Sequence, residues 1–159
     1  MARYIYTKVS APIQDAKTPE HNFKFHPLVP VSLISTNGQE VHIREAYIDT
    51  GAQNCLFNND IASRLGIKDF RATEGVRQMC GIGGKKPENI AYFHSLKLVV
   101  YKDTKNRRLD NAWQINTRIG FLEKPIGFAG ILGVYGFLDQ FVFKTNIPGG
   151  CFEIEPVFE

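Results

Sequence analysis

The sequence of 159 residues has few cysteines and lacks the spacings that would make them metal ligands or a disulfide framework. Its three cysteines, Cys55, Cys80 and Cys151, are odd in number, and no two form a CxxC pair. The four histidines are spread along the chain without a short ligand spacing such as HExxH. We therefore expect no metal, no cofactor and a reducing, cytoplasmic environment. Cys80 with His94 would make a candidate nucleophile pair, but a free cysteine is more often a small buried hydrophobic residue.

The chain also lacks a strong charge of either sign and any long apolar run. Nineteen Lys and Arg residues stand against sixteen Asp and Glu, which gives a formal charge of +3, so we expect no nucleic-acid partner. No window approaches the roughly 18 consecutive apolar residues of a membrane helix, and the first residues lack a signal-peptide pattern. The glycines before Lys85 do not fit the Walker spacing of a nucleotide-binding loop. We expect a soluble protein without a membrane partner.

What the chain does have is a 43% hydrophobic content and many short extended runs between turn residues. One short helix is predicted over residues 61–65, with N-cap candidates at 58–60 and Gly66 after its end, and a short helical turn over 135–140. This pattern predicts a mostly-β barrel or sandwich, with residues 1–25 as an N-terminal strand and arm of uncertain role and 26–159 as the domain. The predicted strands cover residues 4–9, 28–34, 41–48, 55–57, 76–80, 90–100, 113–119, 141–143 and 151–154.

One acidic residue stands at the end of an apolar strand. Ala46, Tyr47 and Ile48 lead directly into Asp49, which is followed by Thr50-Gly51-Ala52. A carboxylate in such a place costs desolvation energy unless it is hydrogen-bonded or shares a proton. Taken alone, Asp49 is equally compatible with a turn residue or a helix cap.

Two further motifs follow Asp49 in the chain. Gly81-Ile82-Gly83-Gly84 interrupts two extended runs and predicts a hairpin with a flexible glycine tip, although an ordinary hairpin turn has the same pattern. Ile131-Leu132-Gly133 then precedes the predicted turn over 135–140; by itself it is compatible with the end of a core strand.

In this order, the motifs at 47–52, 79–84 and 131–133 resemble those of the retropepsin-like aspartic proteases, the single-domain relatives of pepsin. In that family an Asp-Thr-Gly loop holds the catalytic acid, a glycine-rich flap covers the substrate, and an apolar-apolar-Gly segment passes behind the acid loop. The likeness is greatest to the bacterial members, because the last motif continues as Gly136-Phe137-Leu138-Asp139. It covers about residues 28–155 and leaves the N-terminal segment and an insertion around 102–122 unexplained.

The resemblance implies a closed β-barrel, one half of a pepsin-type fold, with one or two short helices. It implies an aspartic endopeptidase that is active as a homodimer on a polypeptide substrate, because one chain supplies only one catalytic acid. The implied site comprises the catalytic Asp49; the loop residues Thr50, Gly51 and Ala52; the flap and substrate-binding residues Met79, Gly81, Ile82, Gly83 and Gly84; and, behind the acid loop, Ile131, Leu132 and Gly133.

Two alternatives use the same sequence differently. The first keeps the fold without catalysis, as a dimeric peptide-binding or assembly module, and is distinguished by whether the two copies of Asp49 come within hydrogen-bonding reach. The second is a nucleic-acid-binding β-barrel, which the modest net charge disfavours.

Overall fold

The computed structural model describes residues 1–10, 23–81 and 84–158, and it describes side chains outside 78–88. These residues are mostly in strands, which confirms the predicted fold class. The elements are β1 (Ala2–Ile5), β2 (Thr7–Ser10), β3 (Phe23–His26), β4 (Leu28–Ile34), β5 (Glu40–Ile48), β6 (Leu56–Asn58), α1 (Asn59–Arg64), β7 (Gly75–Gly81), β8 (Gly84–Tyr101), a 3₁₀ turn (Leu109–Asn111), β9 (Ala112–Leu122), β10 (Gly130–Leu132), β11 (Phe141–Asn146) and β12 (Cys151–Pro156).

The largest sheet has seven strands in the order β4, β5, β10, β6, β9, β8, β7. Because β4 also pairs with β8, hydrogen-bonded neighbours run in a ring through six of these strands, and β7 extends from β8. The ring encloses a core in which Phe57, Leu98, Ile119, Phe121 and Leu132 have no solvent exposure. Burying aromatic and branched side chains of this size is the main favourable term in the stability of such a sheet.

The hairpin β4–β5 delivers the chain to Asp49. Its turn contains Gly38 at φ +85°, a left-handed conformation that glycine adopts without steric cost, and Ser35 N–H donates to Gln39 O at 2.9 Å. Along β5, buried Val41 and Ile43 alternate with exposed neighbours. This alternation fixes which face of β5 meets the core.

The two ends of the chain form a separate three-stranded sheet, β1–β12–β11. The prediction of a single strand over 4–9 is wrong: β1 pairs with β12, whereas β2 pairs with β3. The strand divides at Tyr6, whose N–H donates to Gly150 O at 3.1 Å and whose ring packs on Phe152. Tyr4 also stacks on Phe152, with ring centroids 5.2 Å apart, and its hydroxyl donates to Tyr101 O at 2.7 Å. Residues 11–22, within the predicted arm, lie outside the described residues.

Helix α1 begins and ends close to the predicted positions. Gly66, at φ +76°, follows its last turn as expected for a helix C-terminus. Asn58 precedes the first turn but does not cap it with its side chain. Instead, its amide donates to Ile126 O and Phe128 O and accepts from Ile126 N–H, which ties the loop before β10 to the helix start.

The predicted helical turn over 135–140 is a turn and not a helix. Leu138 N–H donates to Gly133 O at 3.0 Å, Asp139 N–H donates to Val134 O at 2.9 Å, and Gly136 has φ +97°. Gly136 is the second residue of this segment, and its left-handed backbone is incompatible with a regular right-handed helix. Within the described ranges, no helix has the length and apolar character needed to cross a membrane.

Candidate active site

Asp49 lies immediately after β5, where a second strand supports it from behind. β10 runs parallel to β5, with Ile131 opposite Tyr47 and Leu132 opposite Ile48. The Asp49 N–H continues this ladder by donating to Leu132 O at 3.0 Å. Because Ile48 and Leu132 are both buried, the core fixes both the end of β5 that precedes the acid and the strand that supports it.

The loop after Asp49 turns sharply and presents the carboxylate at the surface. Ala52 N–H donates to Asp49 O at 3.2 Å, and Gly51 N–H donates to Asp49 Oδ1 at 2.8 Å. Asp49 and Ala52 are partly buried, whereas Thr50 and Gly51 are exposed. A backbone donor on one carboxylate oxygen fixes the orientation of the acid without the entropy cost of ordering a second side chain as the donor.

The segment after β10 holds the far end of the same loop. Val134 N–H donates to Ala52 O at 2.8 Å, and Tyr135 N–H donates to Gln53 O at 2.7 Å. Gly133 lies so close to the loop that a Cβ there would be 2.5 Å from Asn54 O and 2.6 Å from Ala52 O. Only glycine fits this contact without displacing the backbone.

The structure therefore brings together six of the predicted site residues: Asp49, Gly51, Ala52, Ile131, Leu132 and Gly133. Leu132 and Gly133 are buried behind the loop, and partly buried Ile131 also pairs with Leu56 on β6. Thr50 adjoins them on the exposed side of the loop.

The glycine-rich hairpin is formed by β7 and the start of β8. Gly81 is opposite Gly84 and Cys80 is opposite Lys85 in an antiparallel register. Ile82 and Gly83, at the predicted tip, lie outside the described residues, as does the side chain of Met79.

A contact that the sequence did not indicate joins the hairpin to the acid loop. Arg77 on β7 has Nη1 3.4 Å from Oδ1 of Asn54, a buried residue at the end of the loop. Both residues line a cleft of about 530 Å³ together with Phe93, Arg118, Tyr135 and Asp139. The position of Arg77 on the predicted flap strand was visible in the sequence, but its neighbours on β8 and β9 were not.

Two electrostatic effects are seen around the loop. Burial, with a smaller contribution from the charge of Asp49, raises the pKa of Tyr47, whose ring packs on Phe128 with centroids 4.5 Å apart. Burial also raises the pKa of the Cys55 thiol to about 12, an effect that a backbone hydrogen bond with Gly133 partly offsets. Cys55 is therefore a protonated core residue at neutral pH.

The sequence also offered the Cys80–His94 pair and excluded a metal site. The side chain of Cys80 lies outside the described residues, and His94 donates through Nε2 to Phe70 O at 2.8 Å. Among the described residues, no group of three or more His, Cys, Asp or Glu side chains is arranged to hold a metal ion.

Comparison with known proteins identifies the fold. No family model and no curated protein matches the sequence. Among solved structures, the chain is similar to the crystal structure of a retropepsin-like aspartic protease from Rickettsia conorii, with a TM-score of 0.51 and 18% sequence identity. The match covers 94% of this chain and 93% of that chain. The chain therefore has a retropepsin-like fold, as the motifs predicted.

Proposed function

We propose that the protein is an aspartic endopeptidase that hydrolyses peptide bonds as a homodimer. The observation that carries this proposal is the setting of Asp49: it ends a core strand, its carboxylate accepts the Gly51 N–H, and β10 supports it from behind. The fold similarity to a retropepsin-like aspartic protease supports the same assignment.

The dimer follows from the chemistry. Hydrolysis by this route needs two carboxyl groups that share one proton, since two like charges so close together cannot both ionise. One chain has one Asp-Thr-Gly loop, so the second carboxyl would be Asp49 of the partner subunit, related by a two-fold axis. The exposed Thr50 hydroxyl would then face the partner loop and bond across the axis.

In this site the two carboxyl groups divide acid and base work. The ionised carboxylate takes a proton from water as the water oxygen attacks the scissile carbonyl carbon, while the protonated carboxyl donates to the carbonyl oxygen. Collapse of the tetrahedral intermediate breaks the C–N bond, and the leaving nitrogen receives a proton from the pair. The Gly51 N–H keeps Asp49 oriented through both steps.

The hairpin of β7 and β8 would act as a flap over an extended polypeptide. Glycine has the backbone freedom that an opening and closing tip requires, so Gly81, Gly83 and Gly84 would suit this role, and Met79 and Ile82 would contact the substrate. Closure of this hairpin would exclude water, which strengthens the electrostatic interactions of the two Asp49 carboxyl groups.

The test is cleavage by the Asp49→Asn variant. Asparagine preserves the size of the side chain but cannot exchange a proton, so we expect peptide hydrolysis to fall by about 100-fold or more while the protein stays folded. Cleavage of a mixed peptide pool is followed by mass spectrometry, and circular dichroism checks the fold.

The matched control is Asp60→Asn on the exposed first turn of α1, which makes the same chemical change away from the loop and leaves activity unchanged. Undiminished cleavage by Asp49→Asn would contradict the proposal. Peptide binding without cleavage by the unaltered protein would favour the silent peptide-binding module.

A further inference from the structure

The proposed chemistry does not use the cleft between the flap strand and the acid loop. This cleft is bordered by β7, β8 and β9 and by the turn after Gly133, and Asn54 lies at its edge. Asn54 is five positions after Asp49 in the chain, so their Cα atoms are at most about 18 Å apart. An extended peptide covers about 3.3 Å per residue, so a substrate side chain within about five residues of the scissile bond is long enough in reach to enter this cleft.

Two guanidinium groups lie over one aromatic ring in this cleft. Arg77 on β7 and Arg118 on β9 have Cζ atoms 5.4 Å and 5.8 Å from the ring centroid of Phe93, on the strand between them. The strand register places all three side chains on the same face, because Phe93 is opposite both Gly75 and Gly120. The absence of a side chain at Gly75 makes room for the Arg118 guanidinium, which a Cβ there would overlap.

Stacking on a ring leaves the edge N–H groups of a guanidinium available, and each arginine has five such donors. Among the side chains that the structure describes, neither Arg77 nor Arg118 forms an ion pair with a carboxylate. Elsewhere, Arg71 pairs with Glu123 and exposed Arg108 pairs with Asp110.

Asp139 also lines the cleft and reduces its positive charge. Its Oδ1 accepts the Gly136 N–H at 3.0 Å, which uses part of its acceptor capacity within its own turn. Two arginines and one aspartate leave the cleft with a net positive charge, and one further carboxylate would balance it.

We infer that this cleft is a substrate subsite that binds an acidic side chain, so that the enzyme selects polypeptides with Asp or Glu close to the cleaved bond. The inference rests on the proposed function for the identity of the ligand as a polypeptide. The carboxylate bonds to N–H groups of Arg77 and Arg118, neither of which has a carboxylate partner among the described residues, and its aliphatic stem packs on Phe93 and Tyr135. In the proposed dimer, each protomer contributes one such subsite, one on either side of the scissile bond.

The experiment compares peptide pairs that differ only by Glu against Gln at each position around the cleaved bond. We measure kcat/KM for each peptide with the unaltered protein. Binding of each peptide to the Asp49→Asn variant is measured by fluorescence anisotropy. We expect the Glu peptide to be preferred by about tenfold at one position on each side of the cleaved bond. Arg77→Gln and Arg118→Gln each reduce this preference severalfold, whereas Arg108→Gln, with the same loss of charge on a distant loop, preserves it.

The outcomes separate this inference from the proposed function. Cleavage without any Glu preference, or a preference that survives both cleft variants, would overturn the subsite and leave the protease intact. Arginine-dependent binding of acidic peptides without cleavage would support the subsite and contradict the protease. The comparison of Glu and Gln peptides on the unaltered protein requires no variant to fold.

Discussion

The backbone N–H of Asp49 donates to the carbonyl oxygen of Leu132 at 3.0 Å, although more than half of the chain separates the two residues. This bond extends the parallel ladder of β5 and β10 by one residue, up to the acid itself. The orientation of the proposed catalytic carboxyl therefore depends on β10, which lies much later in the sequence. Substituting Gly133, which directly follows β10, tests the contact between this segment and the acid loop.

Gly133→Ala is expected to destabilise the protein and to disturb the acid loop. A Cβ at this position meets Asn54 O at 2.5 Å and Ala52 O at 2.6 Å, so the backbone of one segment must shift. Overpacking of this kind lowers the free energy of unfolding by about 1–3 kcal/mol, which urea denaturation measures.

Gly127→Ala is the matched control, because no atom lies within 4 Å of a Cβ built there. It is expected to change the free energy of unfolding by less than about 0.5 kcal/mol. Equal stability of Gly133→Ala and Gly127→Ala would contradict the close contact of Gly133 with the acid loop.

Cys55 is expected to resist alkylation in the folded protein. Its pKa of about 12 leaves roughly one thiol in 10⁴ ionised at pH 8, and the thiolate is the reactive form. Iodoacetamide labelling followed by peptide mass mapping measures the modified fraction of Cys55 directly. The same peptide should label readily in urea; rapid labelling without denaturant would contradict the buried position of the thiol.

Mixing active and inactive chains tests whether each site needs two subunits. If unaltered protein and Asp49→Asn protein are refolded together in equal amounts, about a quarter of the dimers carry two Asp49 residues. Cleavage activity should then fall with the square of the unaltered fraction, which a titration of mixing ratios measures. A linear dependence would indicate that one chain forms a complete site, and mixing with Asp60→Asn protein controls for refolding losses.

Local signals in the sequence were sufficient to predict much of the fold that surrounds Asp49. The predicted runs 28–34 and 41–48 correspond closely to β4 and β5, and Gly38 between them has the left-handed backbone that glycine adopts without steric cost. Gly66 marked the end of α1 for the same reason. The order of the three motifs, by resemblance, also indicated that 131–133 lies behind the acid loop.

The cleft that contains Arg77 and Arg118 could not be predicted in this way. Arg77, Phe93 and Arg118 come together only because β7, β8 and β9 are neighbours in one register, which depends on long-range pairing and not on the residues themselves. The division of the first strand at Tyr6 has the same cause, since its partner Gly150 belongs to the other end of the chain. Alternation of hydrophobic residues predicts that a strand exists but does not identify its neighbours.

The most direct test of the central claim is the distance between the two copies of Asp49 in a crystal structure of the dimer. The proposed mechanism predicts that carboxylate oxygens of one protomer and its partner lie within hydrogen-bonding distance, about 2.5–3.0 Å, across a two-fold axis. A dimer formed through another face, with the two carboxyl groups too far apart to share a proton, would contradict it.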